Sequence, residues 1–230
     1  MKTVMVSVFL FTVLFFSCGT ARPHPDMIAD VDPVSLGTIE LELEKFLSSA
    51  LEKKEATVVF VPRTDSVYLQ FRFQTVTYRQ YWDRSGRAMF KAALARYKDD
   101  YDARNLGLKP AKASRAYGQL KGYTEWGQLN VAVFLSGKAY PRMELGYRFN
   151  NGSPYLTVLQ RRADDEGLAA TESRESLNIR TYFTRAQATE LVNLFEQDYL
   201  LSVLPAAALD KRIPVDSYNE TPADAYTEIE

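Results

Sequence analysis

The chain has 230 residues, 46% of them hydrophobic and 13% aromatic, which excludes a disordered polymer and suffices for one buried core. Its 28 Lys and Arg nearly balance 29 Asp and Glu, so net charge alone indicates no polyanionic partner. A single cysteine excludes an intramolecular disulfide, and a single histidine argues against zinc centres and histidine-based catalytic triads. We find no phosphate-binding glycine motif and expect neither a metal site nor a cofactor.

The first residues are typical of a secretory leader. Lys2 precedes an apolar run over residues 4–16, and small residues follow at 17–21. The run is too short to span a bilayer, which takes about 20 apolar residues. We therefore expect residues 1–17 to be a signal peptide and the protein to be exported.

The end of this leader resembles the lipobox of bacterial lipoproteins, in which signal peptidase II cuts before a cysteine that carries acyl chains such as palmitate. Ser17 and Cys18 fit that pattern, whereas Phe15 and Phe16 depart from it. The resemblance implies lipid attachment at Cys18 and anchoring to a membrane of the cell envelope. The alternative is ordinary cleavage after Ala21, which would give a soluble exported or periplasmic protein. Beyond the leader, we expect the chain to match no domain family.

A proline-rich linker is predicted over residues 18–35, followed by a single domain over 36–205. Within that domain, apolar residues at helical spacing predict a first helix over 36–54. A short strand at 57–61 and a long alternating strand over 66–78 follow. The linker would lift the domain away from the membrane.

The second half of the chain predicts two further helices and a run of strands. One helix spans about 82–104, and the other begins at Thr184, whose spacing to Gln187 fits a capping box, and ends at Pro205. Between them we expect strands at 112–124, 129–135, 139–149 and 154–161, an acidic loop over 164–176 and a weak strand at 177–181. Residues 206–230 are predicted to be a disordered acidic tail. Because strands and helices are grouped, the pattern favours an α+β fold, a curved antiparallel sheet with about three helices packed on one face.

Charge is distributed unevenly along the chain. Residues 57–162 hold 18 Lys and Arg against 7 Asp and Glu, whereas residues 163–230 hold 5 against 14. Strand alternation predicts that one sheet face carries Tyr68, Arg72, Arg115, Tyr117, Lys121, Tyr123, Tyr140, Arg142 and Arg148. Planar aromatic and guanidinium groups can stack on sugars or hold anionic groups through paired hydrogen bonds. Two alternatives stay open: an ordinary hydrated sheet face, or neutralisation by acidic segments such as Asp164–Glu166.

From these observations we expect a membrane-anchored binding or scaffolding protein of the cell envelope that uses this face. Its expected partners are envelope proteins, cell-wall glycan or anionic lipid headgroups, and export argues against nucleic acid. One alternative is a hydrolase of envelope glycan or lipid that uses Glu125 and Glu144 as an acid–base pair. Another is a structural subunit of a surface complex. The sequence predicts no other catalytic residue.

Overall fold

The computed structural model describes residues 24, 26–45, 50–107, 110–130, 133–166 and 175–209. The predicted signal peptide, the lipid attachment at Cys18 and residues 210–230 of the predicted acidic tail lie outside the described residues. The prediction of disorder over 206–230 is wrong for its first four residues, because Ala206–Leu209 form a short helix. Part of the predicted linker is instead packed against the domain. Ile28 and Ala29 belong to the buried core, and both donate backbone hydrogen bonds to the carbonyl of Pro62. The prediction of a linker over 18–35 is therefore wrong for its second half, because apolar side chains interrupt its prolines.

Ten strands in the described residues form one antiparallel sheet: β1 Val34–Glu44, β2 Leu51–Val61, β3 Ser66–Phe73, β4 Val76–Trp82, β5 Gly118–Lys121, β6 Tyr123–Asn130, β7 Val133–Ala139, β8 Arg142–Asn150, β9 Ser153–Gln160 and β10 Ile179–Phe183. Their order across the sheet is β5-β8-β9-β10-β1-β2-β3-β4-β6-β7. The described helices are α1 Arg84–Asp102, α2 Arg185–Phe195, α3 Gln197–Ser202 and α4 Ala206–Leu209, with a 3₁₀ helix at Pro110–Arg115.

The sheet is curled, because residues that lie far apart in the strand order touch each other. Gln80 of β4 donates a 3.3 Å hydrogen bond to Gln160 of β9, although a flat sheet would hold these strands about 24 Å apart. The two outermost strands, β5 and β7, also belong to one long hairpin. One arm of this hairpin is β5 followed by β6, and the other arm is β7 followed by β8. Between β5 and β6, the Gly122 N–H donates a 2.9 Å hydrogen bond to the Pro141 carbonyl, so the pairing of the two arms continues across this junction. This hairpin brings the two edges of the curl together.

The predicted helix over 36–54 is wrong, because residues 36–44 belong to β1 and residues 51–54 to β2, which pairs with it antiparallel. Ile39, Leu41 and Leu43 alternate with glutamates and are all buried. They face Ala56, Lys54 and Glu52 across the ladder. A period of two, set by one face of the strand against the core, explains this segment better than the helical spacing. The alternation was present in the sequence and was the stronger signal.

The predicted helix over 82–104 is confirmed, and so is the predicted helix start at Thr184. Asp83 caps α1 by accepting a 2.6 Å hydrogen bond from the Gly86 N–H. Thr184 and Gln187 form the predicted capping box at the start of α2. The final helix is broken at Glu196 into α2 and α3 rather than continuous to Pro205. None of the described helices combines the length and the apolar character that crossing a bilayer requires.

The coarse fold prediction is confirmed: the domain is α+β, and a curled antiparallel sheet dominates it.

A buried ion pair fixes the start of α1 on the sheet. Asp65, in the β2–β3 turn, is 1% exposed, and its Oδ1 lies 2.8 Å from Nη2 of Arg87, which is 3% exposed. Burial lowers the pKa of Arg87, whereas the charge of Asp65 raises it.

Candidate functional site

Four tyrosines form a row across the sheet face opposite the buried Leu69 and Trp82, which we call the outer face. They are Tyr68 on β3, Tyr81 on β4, Tyr123 on β6 and Tyr140 in the β7–β8 connection, and we call them the tyrosine row. Tyr68 is paired with Tyr81 and Tyr81 with Tyr123 in the strand register. Successive ring centroids are 5.1, 5.0 and 5.1 Å apart, and the ring planes are inclined by 51°, 49° and 41°. Directly paired residues share a face, so the register places Tyr68, Tyr81 and Tyr123 in the row, and the β7–β8 connection adds Tyr140.

Glu125 binds the middle of the row. The hydroxyls of Tyr81 and Tyr123 each donate a 2.9 Å hydrogen bond to its carboxylate. Burial, followed by the neighbouring Glu125, raises the pKa of Tyr81, and the same two causes raise the pKa of Tyr123. Both hydroxyls therefore stay protonated at neutral pH and act as donors. Arg79 Nη1 lies 3.7 Å from the same carboxylate and offsets its charge.

Arg79 extends this hydrogen-bonding side of the row toward β3. Its Nε donates a 2.9 Å hydrogen bond to Gln70, and its guanidinium carbon lies 5.3 Å from the ring centroid of Tyr68. Gln70, Arg79 and Glu125 are paired with one another across β3, β4 and β6. We call these three residues the polar border of the row.

The opposite side of the row is positively charged. Lys121, Arg142 and Arg161 form a cationic edge there, with Lys121 directly opposite Arg142 and the Arg161 N–H donating to the Arg142 carbonyl at 2.8 Å. Lys121 Nζ also lies 5.0 Å from the ring centroid of Tyr140. Arg142 and Arg161 share the carboxylate of Glu144, which is 1% exposed. Two of the cations thus share one carboxylate and Lys121 stands beside them, which leaves the edge net positive.

The structure brings together five of the nine predicted ligand-binding residues: Tyr68, Lys121, Tyr123, Tyr140 and Arg142. Arg72 is exposed on the same strand as Tyr68, two residues beyond Gln70. It lies beyond the polar border and therefore apart from the cationic edge.

The other three predicted residues lie elsewhere. Tyr117 is buried, and its hydroxyl donates to Asp100 at 3.0 Å. Its predicted exposure is wrong because alternation begins only after Gly118, whose φ of +131° turns the chain. Arg115 ends the 3₁₀ helix instead of lying on a strand. Arg148 is engaged with Glu44 at 3.3 Å.

Sequence reasoning missed three members of this surface: Arg79, Tyr81 and Arg161. The first two fell between a strand predicted to end at Tyr78 and a helix predicted to begin at Trp82. In fact β3 ends at Phe73, and Gln74, with a φ of +56°, turns the chain into β4. Glutamine is not a typical residue for a left-handed turn position, so no turn signal marked the end of β3. The alternation of residues in β4 was the signal that could have indicated a separate strand there.

The two carboxylates considered as an acid–base pair lie in separate networks. Glu125 accepts from Tyr81 and Tyr123, whereas Glu144 accepts 3.0 and 2.9 Å hydrogen bonds from Arg161. The 3₁₀ helix lies over Glu144 on the outer face, where Ser114 Oγ is 3.5 Å from the carboxylate. Both residues therefore have structural partners that account for their positions.

The acidic segment considered for neutralisation runs beside β7. Asp165 accepts a 3.1 Å hydrogen bond from the Lys138 N–H, and the Glu166 N–H donates to the Lys138 carbonyl at 2.9 Å. Lys138 is paired with Glu125, so this segment approaches the polar border. Over the described ranges, no cluster of three or more His, Cys, Asp or Glu side chains is placed to hold a metal ion.

Comparison with known proteins shows a relationship without an activity. No solved structure matches the chain. A protein of Treponema pallidum (strain Nichols), described as an uncharacterized protein, is 24% identical over 192 residues, which cover 83% of this chain and 67% of that protein. Residues 33–202 match a family described as uncharacterised Treponema protein. The expectation that the chain matches no domain family is therefore wrong. The chain belongs to the family described as uncharacterised Treponema protein.

Proposed function

We propose that the protein is an exported lipoprotein, anchored at Cys18, that binds or scaffolds a partner in the cell envelope through the outer face of its sheet. The observation that carries this proposal is the tyrosine row with its cationic edge. Tyr140 is 45% exposed, and the side chains of Arg142 and Arg161 are 56% and 41% exposed. Tyrosine and arginine are enriched in binding surfaces. Tyrosine offers a large contact area at a low entropic cost, and the planar guanidinium of arginine offers directed hydrogen bonds.

The position of the helices supports the use of the outer face. The ring centroid of Phe90 in α1 lies 5.4 Å from that of Trp82 and 5.7 Å from that of Phe183, and both of these partners are buried core residues on strands. In this proposal the helices fill the concave side of the curl. The tyrosine row then lies on rigid strands with its exposed side facing outward.

The short distance from Cys18 to the domain supports a location close to a membrane. The Ile28 N–H is bound to the Pro62 carbonyl at 2.9 Å, and Arg63 Nε lies 2.7 Å from Asp30. About ten residues between Cys18 and this docked segment span at most ~35 Å when extended. An anchor at Cys18 would therefore keep the sheet within reach of the membrane surface and of the polymers attached to it.

Fractionation of cells that produce the full-length protein tests the anchor. We expect the wild type to sediment with membranes, incorporate labelled palmitate and show the mass of an acylated Cys18. The Cys18→Ser variant should lose the label and leave the membrane fraction. A wild-type mass with Met1 intact, or an unmodified Cys18, would refute the anchor.

Capture from envelope extracts tests the surface. Wild-type protein should retain an envelope component that the Lys121→Glu and Arg142→Glu variant does not retain. Lys53→Glu is the matched control, because Lys53 is an exposed strand lysine with only a 3.8 Å ion pair to Glu40. Equal capture by all three proteins would discard this face as the binding surface.

A further inference from the structure

We infer that the tyrosine row is the floor of a binding track for a linear acidic saccharide chain. This inference rests on the proposed function and names the ligand class that the same surface recognises. It concerns the shape of the surface, the chemistry of its two sides and the sign of its charge.

The shape of the surface is linear. Four ring centroids follow each other at steps of 5.1, 5.0 and 5.1 Å, across the strands β3, β4 and β6 and the β7–β8 connection. Each step matches the length of one sugar unit in an extended glycan. A ligand that repeats along its length can therefore place one ring over each tyrosine, whereas a compact ligand would use only one or two of them.

The two sides of the row suit the two kinds of surface on a sugar. A pyranose ring has an apolar face of C–H groups and an edge of hydroxyls. Tyrosine rings offer the apolar contact. On the polar border, Arg79 is a donor and Glu125 is an acceptor, so hydroxyl groups find both kinds of partner there. Side chains two residues apart on a strand lie about 7 Å apart, close enough for one sugar unit to contact both.

The charge of the opposite side favours an acidic ligand. Arg142 and Arg161 share Glu144 and remain half exposed, and Lys121 lies beside them over Tyr140. Guanidinium groups bind carboxylates in paired geometry. The cationic edge flanks only Tyr123 and Tyr140, so carboxylate substituents on the sugar units over these two tyrosines would point toward Lys121 and Arg142. The hydroxyl edges would point toward Glu125 and Arg79.

Two other ligands fit this surface less well. A layer of anionic headgroups would meet the carboxylate of Glu125 near the middle of the row. An extended peptide that extends a sheet needs a free strand edge, whereas β4 and β6 are paired on both sides. Both ligands are included as arms of the test.

The test measures binding to the full lipidated protein in detergent micelles by calorimetry. The probes are tetragalacturonate, its methyl ester as an uncharged match, polyglutamate as a charge without sugar, and glycerophosphoglycerol as a lipid headgroup. We expect tetragalacturonate to bind best, with the ester weaker by about tenfold. Tyr140→Ala should lower the affinity for both sugars by about tenfold, and Lys121→Ala should lower only the affinity for the charged tetragalacturonate.

Matched controls separate the track from general effects on the protein. Tyr199→Ala removes another exposed tyrosine, on α3, and Lys53→Ala removes another exposed lysine, on β2. Neither should change the affinity for tetragalacturonate. Unchanged circular dichroism of Tyr140→Ala and Lys121→Ala would show that these variants fold.

Three results would overturn the inference. These are equal binding of polyglutamate or glycerophosphoglycerol, unchanged sugar affinity in Tyr140→Ala, and no binding of either sugar. If neither sugar binds but the Lys121→Glu and Arg142→Glu variant still loses capture from envelope extracts, the inference of a saccharide ligand is wrong and the proposed function stands. If capture also becomes independent of that edge, both are wrong.

Discussion

The buried pair of Asp65 and Arg87 allows a quantitative prediction for the substitution Asp65→Asn. The carboxylate of Asp65 lies 2.8 Å from Arg87 and 2.7 Å from Arg84. Asparagine keeps the size of the side chain and tolerates the left-handed backbone at this residue, where φ is +44°. The substitution therefore removes the charge and leaves the backbone conformation accessible.

The expected loss of free energy of unfolding follows from the burial of Arg87, which is 3% exposed and would lose its counter-ion. Removing one partner of a buried ion pair costs about 3–5 kcal/mol, because the other charge stays buried without compensation. For a domain of this size, 1 kcal/mol corresponds to about 2–4 °C in melting temperature. We therefore expect the melting temperature of Asp65→Asn to fall by about 6–20 °C.

Thermal unfolding followed by circular dichroism measures this loss. The control is Asp30→Asn, since Asp30 forms an exposed pair with Arg63, and such pairs contribute about 0–1 kcal/mol. Replacing Arg87 by methionine in the Asp65→Asn background should restore part of the stability, because it removes the uncompensated charge. If Asp65→Asn melts within a degree or two of Asp30→Asn, the reasoning about the buried pair is wrong.

Three further predictions concern stability and pH. Gly146→Ala should destabilise the domain by several kcal/mol, because a Cβ there would overlap the backbone of the 3₁₀ helix. Glu144→Gln should lower the free energy of unfolding by about 1–3 kcal/mol, which is less than the effect of Asp65→Asn. The reason is that Arg142 and Arg161 are partly exposed, so water can solvate them once the carboxylate is removed. Burial raises the pKa of Tyr78 and of Tyr97 to about 12, so stability should fall as pH rises from 10 toward 12, where the unfolded chain ionises first.

Urea unfolding measures the first two of these predictions, and Gly152→Ala is the control for Gly146→Ala, since a Cβ at Gly152 has no atom within 4 Å although its φ is positive. A larger loss at Gly152 than at Gly146 would contradict the steric argument. An effect of Glu144→Gln equal to that of Asp65→Asn would contradict the role of rehydration. Ultraviolet titration of phenolate formation checks the pH prediction, and tyrosines that all ionise near pH 10 in the folded protein would disprove it.

Some local structure was predictable because its signals lie within a few residues. Asn151 and Gly152 form the turn between β8 and β9, with φ angles of +48° and +78°, as the residue pair predicts. The caps of α1 and α2 are likewise set by side chains within three residues of the helix start. The error at the β1–β2 hairpin came from weighing a helical stripe above a clear alternation.

The candidate site depends on contacts between distant parts of the chain. Tyr81 and Tyr123 are neighbours only because β4 pairs with β6, and the whole of α1 separates these strands in the sequence. Likewise, Glu144 became a buried partner of two arginines because the 3₁₀ helix lies across β8 at Gly146. No local pattern encodes either arrangement, so alternation identified the tyrosines and arginines but not which of them meet.

The sequence by itself determined the alternation of the strands, the turn residues, the helix caps and the basic character of the middle of the chain. Each of these follows from backbone geometry and side-chain chemistry over a few residues. Tertiary structure decided the strand order, the curl that joins β5 and β7 through one hairpin, and the alignment of four tyrosines beside a cationic edge. Those features depend on burying one face of every strand and on closing one sheet around one core, which only the whole chain can satisfy.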